Sequence, residues 1–258
     1  MAKKWNKFPY ADKAFNLDDA GLKKHWARLH KGDLEPWPKG AAVRNAWRAY
    51  HAGDFQKAVE LGNAAGGEGV NAAVKAQMIY ANYLEKADKA KLALLEEAAA
   101  WADARRKAAP KDPNAHYYYS YALGRYSQGI SIGAALTQGH ATKVRDAQRT
   151  AIKLAPKHAD AHIAHGSFHA EVVAKVGGLI AGMTYGAKKD EAISNFETAL
   201  KLFPESAIAR AEYANALTLL FGRNRQADVG RLFDEAAQCK PADAMERLDV
   251  ELAKSKAG

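Results

Sequence analysis

The chain has 258 residues, 48% of them hydrophobic and 26% charged, with a formal net charge of +9. Those figures exclude a disordered chain, which would be far less apolar, and a disulfide scaffold, because Cys239 is the single cysteine. No stretch approaches the roughly 20 apolar residues that a bilayer-spanning helix needs. Alanine, the best helix former, is unusually frequent, and β-branched residues are sparse and scattered. The most strand-like segment, Glu171-Val172-Val173-Ala174-Lys175-Val176, lies between helical patterns. The expected class is all-α.

The basic start runs into Phe8-Pro9-Tyr10-Ala11-Asp12 and not into an apolar core, so it lacks the pattern of a secretory leader. No lipid-anchor cysteine stands near it, and the expected compartment is cytoplasmic. Asn16 or Asp18 can cap a first helix that runs to about His30, with Leu22, Trp26 and Leu29 at helical spacing. Gly32, Pro36 and Pro38 end it. Helices then come in pairs: 42–50 with 55–65, 71–85 with 88–109, 117–126 with 142–154, 159–175 with 189–202, and 207–221 with 226–238. A last helix over 244–254 is charged outside Met245, Leu248, Val250 and Leu252, as a solvent-facing cap would be. The expected organisation is a basic arm and helix over 1–38, a helical-pair array over 39–241, and a capping helix and tail over 242–258.

Three of these pairs close on similar endings, Ile152-Lys153-Leu154-Ala155-Pro156, Leu200-Lys201-Leu202-Phe203-Pro204 and Ala237-Gln238-Cys239-Lys240-Pro241. Two helices per unit, repeated every few tens of residues, indicate a solenoid, because one pair cannot bury its apolar face alone. The fourth unit carries Gly166, Phe168, Ala192, Phe196, Ala199 and Pro204; the fifth carries Tyr213, Ala214, Leu217, Phe233, Ala236 and Pro241. The third has Leu123-Gly124 and Ala151, and the first has Gly53-Asp54-Phe55-Gln56-Lys57-Ala58 as its inter-helix turn. This pattern resembles the tetratricopeptide-repeat family over about residues 40–241. The resemblance implies a right-handed helical-hairpin solenoid of about five pairs.

Two features depart from the ordinary repeat. Gly166 and Ala192 are separated by an apolar, glycine-rich insertion over 172–187, and a second insertion covers 129–139. Such long joins resemble the branch that holds regulator-of-microtubule-dynamics proteins and the T component of certain TRAP transporters. The 172–187 segment is expected to pack on the solenoid, with a hydrophobic pocket or an oligomer contact as alternatives. The second departure is a stripe of histidines, His158, His162, His165 and His169, at one-turn spacing. Core packing is the expected role, and a shared zinc or nickel ion is the alternative.

No P-loop, GxSxG, GxGxxG or HExxH pattern occurs, and nothing assembles a nucleophile, a base and an oxyanion donor. No enzyme and no cofactor are expected. The family resemblance implies that the first helices line a concave groove for a peptide segment. Carried across by register, that groove would receive Trp47, Tyr50, Tyr118, Tyr121, Arg125, Gln128, Ser167, Glu171 and Asn215. A protein partner is therefore the leading expectation. The alternatives are a small hydrophobic ligand or metal held by the insertion or the histidines, and, third, charge-driven nucleic-acid binding. Residues 1–32 hold eight lysines and arginines against three aspartates, so +5 of the +9 lies ahead of the repeats. That segment could dock on the first repeat or meet an acidic partner.

Overall fold

The computed structural model describes residues 5–130, 134–135 and 138–257. Part of the expected 129–139 insertion, with Lys3 and Lys4, lies outside the described residues. The rest forms twelve helices of eleven residues or more, and no strand is present among the described residues. They are α1 (Asp19–Leu29), α2 (Ala41–His51), α3 (Phe55–Ala65), α4 (Gly69–Tyr83), α5 (Asp88–Ala108) and α6 (Pro113–Gly129). There follow α7 (His140–Leu154), α8 (Ala159–Val176), α9 (Lys189–Leu202), α10 (Ala207–Phe221), α11 (Gln226–Ala237) and α12 (Ala244–Lys254). The helix starts are set by side-chain caps. Asp18, not Asn16, caps α1 by accepting from the Gly21 N–H at 2.7 Å. Asp112 caps α6 with Pro113 in the first turn, so that helix begins four residues before the tyrosine run.

Helices α2 to α11 stack as five antiparallel pairs, each packing on the next. The first helices of the pairs (α2, α4, α6, α8, α10) touch one another in sequence and form one layer; α3, α5, α7, α9 and α11 form the other. The fold is an all-α helical-hairpin solenoid. Gly166 of α8 passes against the Phe196 ring, where a Cβ would sit 2.9 Å from a ring carbon.

Both ends of the chain are folded back onto this array. Trp5 stacks on Tyr80 at 3.9 Å, and Asn6 donates to the Leu84 carbonyl, which docks the arm on the first repeats. The last helix, expected as a solvent-facing cap, is a wedge. Ala244 and Leu248 join the apolar cluster of α1 to α4, while Val250 and Ala253 join the cluster of α10 and α11. Its charged residues suggested an exposed helix, but several of them are satisfied inside the protein. Asp243 accepts from His51, Glu246 takes a two-pronged bond from Arg28, and Asp249 accepts from Tyr83.

The connection from α1 to α2 supplies the inner filling. Asp33 is buried and accepts four hydrogen bonds: from the His30 ring at 2.9 Å, the Glu35 N–H at 3.3 Å, the Lys75 ammonium at 2.6 Å and the Tyr118 hydroxyl at 3.0 Å. Burial alone would raise the Asp33 pKa, but Lys75 and His30 hold it well below the ordinary range. Burial would likewise pull Lys75 down, and Asp33 reverses that, so the ammonium is held charged. Gly32 lets this connection approach α8, since a Cβ there would lie 2.3 Å from an Asp160 carboxylate oxygen. The Gly32 carbonyl in turn accepts the Asp160 N–H.

Removing one partner of a buried ion pair leaves the other charge uncompensated, whereas an exposed pair contributes little. Lys75→Met is expected to lower the unfolding free energy by about 3–5 kcal/mol in urea titrations. Lys31→Met, whose ammonium meets a largely exposed Glu205, is expected to lower it by less than about 1 kcal/mol. Equal losses for the two would contradict this account.

Candidate functional site

The groove expected along the first-helix layer is largely filled by the chain itself. The 30–38 segment runs across α4, α6 and α8. Beyond Asp33, Glu35 accepts from Asn71 and Asn114, and the Asn114 carbonyl oxygen accepts from the His158 ring. The Glu35 carboxyl is pushed well above its usual range, first by burial and then by the charges of Asp33 and Asp112. Trp47 and Tyr50 are 0% exposed and belong to the N-terminal core, stacked edge-on, so no groove occupant can touch them. Tyr118 is equally buried and committed to Asp33.

Among the described residues, the layer keeps a half-open cavity of about 200 Å³. It lies between α4, α6, α7, α8 and α10, with Met245 and Asp249 of α12 closing one side. Its walls are mostly apolar, including Tyr117, Val144, Ile163, Phe168 and Ile208. A polar strip crosses it. Arg125 donates to Glu212 at 2.7 Å and to Gln128, Gln128 donates to Glu171 at 2.6 Å, and the Arg125 guanidinium faces the Tyr121 ring at 5.4 Å. Asn82 donates to the Tyr121 hydroxyl and fixes that ring. Thus Tyr118, Tyr121, Arg125, Gln128, Ser167 and Glu171 line one cavity, while Trp47, Tyr50 and Asn215 do not. Asn215 sits elsewhere and accepts from Lys256.

The insertion after α8 packs and also lines. Ala181 and Ala187 are buried, and Val172, Val176 and Tyr185 form part of the cavity wall. Glu212, Tyr83 and Asp249 are lining residues that the sequence did not single out. Glu212 carries a signal: it is the single acidic residue of α10.

The histidine stripe is fully engaged. His158 caps α8 by accepting the Ala161 N–H and donates through its other nitrogen to Asn114. His165 donates from Nδ1 to Gln148 at 3.0 Å, leaving Nε2 to accept from His169 Nε2 at 3.2 Å. His169 Nδ1 accepts the Lys188 N–H. The two ring nitrogens of His162 face the Asn195 and Pro156 oxygens. In the tautomers that satisfy this network, each lone pair of His158, His165 and His169 accepts a hydrogen bond within the protein. Among the described residues, no group of three or more His, Cys, Asp or Glu side chains is placed to share a metal ion. Cys239 is half-buried, donates to the Glu235 carbonyl, and has its thiol pushed up by burial, which is the opposite of a reactive thiolate.

A second histidine pair closes the ring of elements. His30 and His51 face each other through their Nε2 atoms at 3.2 Å, and their Nδ1 atoms donate to Asp33 and Asp243. Burial holds His30 down at about 4, so its ring is neutral.

Residues 55–247 match the family described as regulator of microtubule dynamics protein 1-3. The chain belongs to this family. The matched region begins with α3 and ends in α12, so the wedge helix is within it. Among solved structures, the chain is similar to TTC0263, a thermophilic TPR protein of Thermus thermophilus, with a TM-score of 0.59 and 16% identity. That match covers 83% of this chain and 97% of the other, and it shows the fold. None of the curated proteins matches this chain. No helix among the described residues is long and apolar enough to cross a membrane.

Burial, with neighbouring cations, holds His165 down at about 3. Between that value and about 6.5 the unfolded chain binds a proton there that the folded chain refuses, so stability falls as pH drops through this window. His165→Gln keeps a polar group but not the titration. Its stability, measured by denaturant titration from neutral to acid pH, is expected to fall less steeply than that of the natural chain, by about one proton in slope. Identical slopes would contradict the neutral-ring assignment.

Proposed function

We propose that this family member is a non-enzymatic binding protein whose guest seat is the cavity between α6, α7, α8 and α10, and not a full-length groove. The guest is the apolar anchor of a partner protein's segment. The observation that carries this reading is the cavity itself, mostly apolar and crossed by the Arg125–Glu212 strip. An apolar body gains by leaving water there, while the strip offers hydrogen bonds that orient polar atoms beside it. Its volume of about 200 Å³ suits one large side chain, since a cavity of about 150 Å³ already accepts benzene.

A small hydrophobic ligand is the second reading. It is favoured by the partial roof that Tyr185, Val172 and Val176 place over the cavity.

Ala164 lines the seat from α8, and Ala164→Phe would fill it. Selection from a random peptide library, followed by titration of the best peptide, is expected to give binding that Ala164→Phe weakens by about tenfold or more with little change in melting temperature. Undiminished peptide binding would remove the cavity from the reading. Native mass spectrometry of the purified protein separates the two guests: a co-purifying small-molecule adduct, lost in Ala164→Phe, would favour the second.

A further inference from the structure

The cavity has a polar end that its apolar walls do not explain. Where α4, α8, α10 and α12 meet the end of α1, a smaller recess of about 20 Å³ adjoins it. The two share Lys75, Asp160, Ile208, Met245 and Asp249 in their walls. The recess has room for one water-sized group. Four carboxyls line it: Asp33, Asp160, Glu246 and Asp249. Two of them are paired with a cation, since Asp33 accepts from Lys75 and Glu246 accepts from Arg28. Asp160 and Asp249 form no ion pair among the described residues, and they face both the recess and the cavity.

These two carboxyls are short of donors as well as of cations. Asp249 is 2% exposed; its Oδ1 accepts from the Tyr83 hydroxyl, and its Oδ2 accepts nothing. The Asp160 N–H is held by the Gly32 carbonyl, but its carboxyl accepts no hydrogen bond. A sequestered carboxyl with unfilled acceptors is costly. Burial, opposed by Lys75 and reinforced by Asp33 and Glu246, raises the Asp160 carboxyl to about 7. Burial, opposed by the Tyr83 bond and reinforced by Glu246, Asp243 and Asp160, holds Asp249 well above its usual range. A neutral guest would gain only hydrogen bonds in the recess. A cation would gain hydrogen bonds and charge, and an anion would meet like charge.

We propose that the cavity takes a primary ammonium carried on an apolar stem, with the ammonium in the recess donating to Asp160 and Asp249 and the stem lying against Ile208 and Met245. This inference rests on the cavity reading and adds the chemistry of the guest. A lysine side chain of a partner's segment and a free alkylamine share that chemistry. Asp160 and Ala164 stand one turn apart on α8, so the recess and the seat can be altered separately.

The test is titration of the full chain, followed by NMR at about pH 8, with hexylamine, hexanol and hexanoate, which share a stem and differ in charge. Hexylamine is expected to bind about tenfold or more tighter than hexanol, and hexanoate more weakly than either. Asp160→Asn keeps the shape of the side chain and removes its charge. It is expected to weaken hexylamine binding by about tenfold, to leave hexanol binding unchanged, and not to lower the melting temperature, since an unpaired buried charge is lost. Asp249→Asn makes the same test from α12. Equal binding of hexylamine and hexanol, tighter binding of hexanoate, or no binding of any of the three would overturn the ammonium assignment. If hexanol binding is then lost in Ala164→Phe, the cavity reading still stands. Hexylamine binding undiminished in Ala164→Phe would place the amine elsewhere and overturn the assignment as well. The two sources separate on the library-selected peptides. A lysine whose replacement by norleucine weakens peptide binding about tenfold identifies a partner's side chain. Peptides indifferent to that replacement, with hexylamine binding intact, identify a free amine.

Discussion

A carboxylate taken out of water must be repaid by donors and a counter-charge, and Asp33 is the place where this fold meets that demand. Its four donors come from four parts of the chain: the end of α1, the connection after it, α4 and α6. Satisfying Asp33 therefore fixes where the 30–38 segment lies relative to the first-helix layer. Once that segment is seated, the inner face of the first repeats has an occupant from its own chain. The aromatic residues that would line an open groove there become core. The cavity lies beyond this segment, with Met245 and Asp249 of α12 in its wall.

The basic excess of the N-terminal segment has a matching explanation. Arg28 meets Glu246, Lys31 meets Glu205 and Arg44 meets Asp19. Two of these three acidic groups come from the C-terminal half of the molecule. Two of the N-terminal cations, Arg28 and Lys31, thus help to hold the two ends of the chain together, while Lys7, Lys13, Lys23 and Lys24 stay exposed.

The repeat architecture was legible because its signals are local. Ile152–Pro156 and Leu200–Pro204 mark helix ends by sequence alone, and Gly53-Asp54 marks a turn. The cavity was legible in part for the same reason. Tyr121, Arg125, Gln128, Ser167 and Glu171 share a register on two neighbouring first helices, and register survives folding. What could not be read is the fate of residues whose partners lie far away in sequence. Trp47 and Tyr50 occupy groove positions by register, yet burial there is decided by α1 and α12. His51 and Asp243 are 192 positions apart. The Lys75 signal, one charge in the run Ala72-Ala73-Val74-Lys75-Ala76, says that a buried cation needs an anion but not which one.

The position of α12 has a consequence for how the molecule comes apart. In an open repeat array each unit depends only on its neighbours, so the end units fray first and stability is close to a sum along one dimension. Here the last helix contributes side chains to the first apolar cluster as well as to the last. Neither end can loosen without disturbing the other, and the terminal repeats lose their freedom to melt alone. The chain has the parts list of a one-dimensional polymer and the cooperativity of a closed ring.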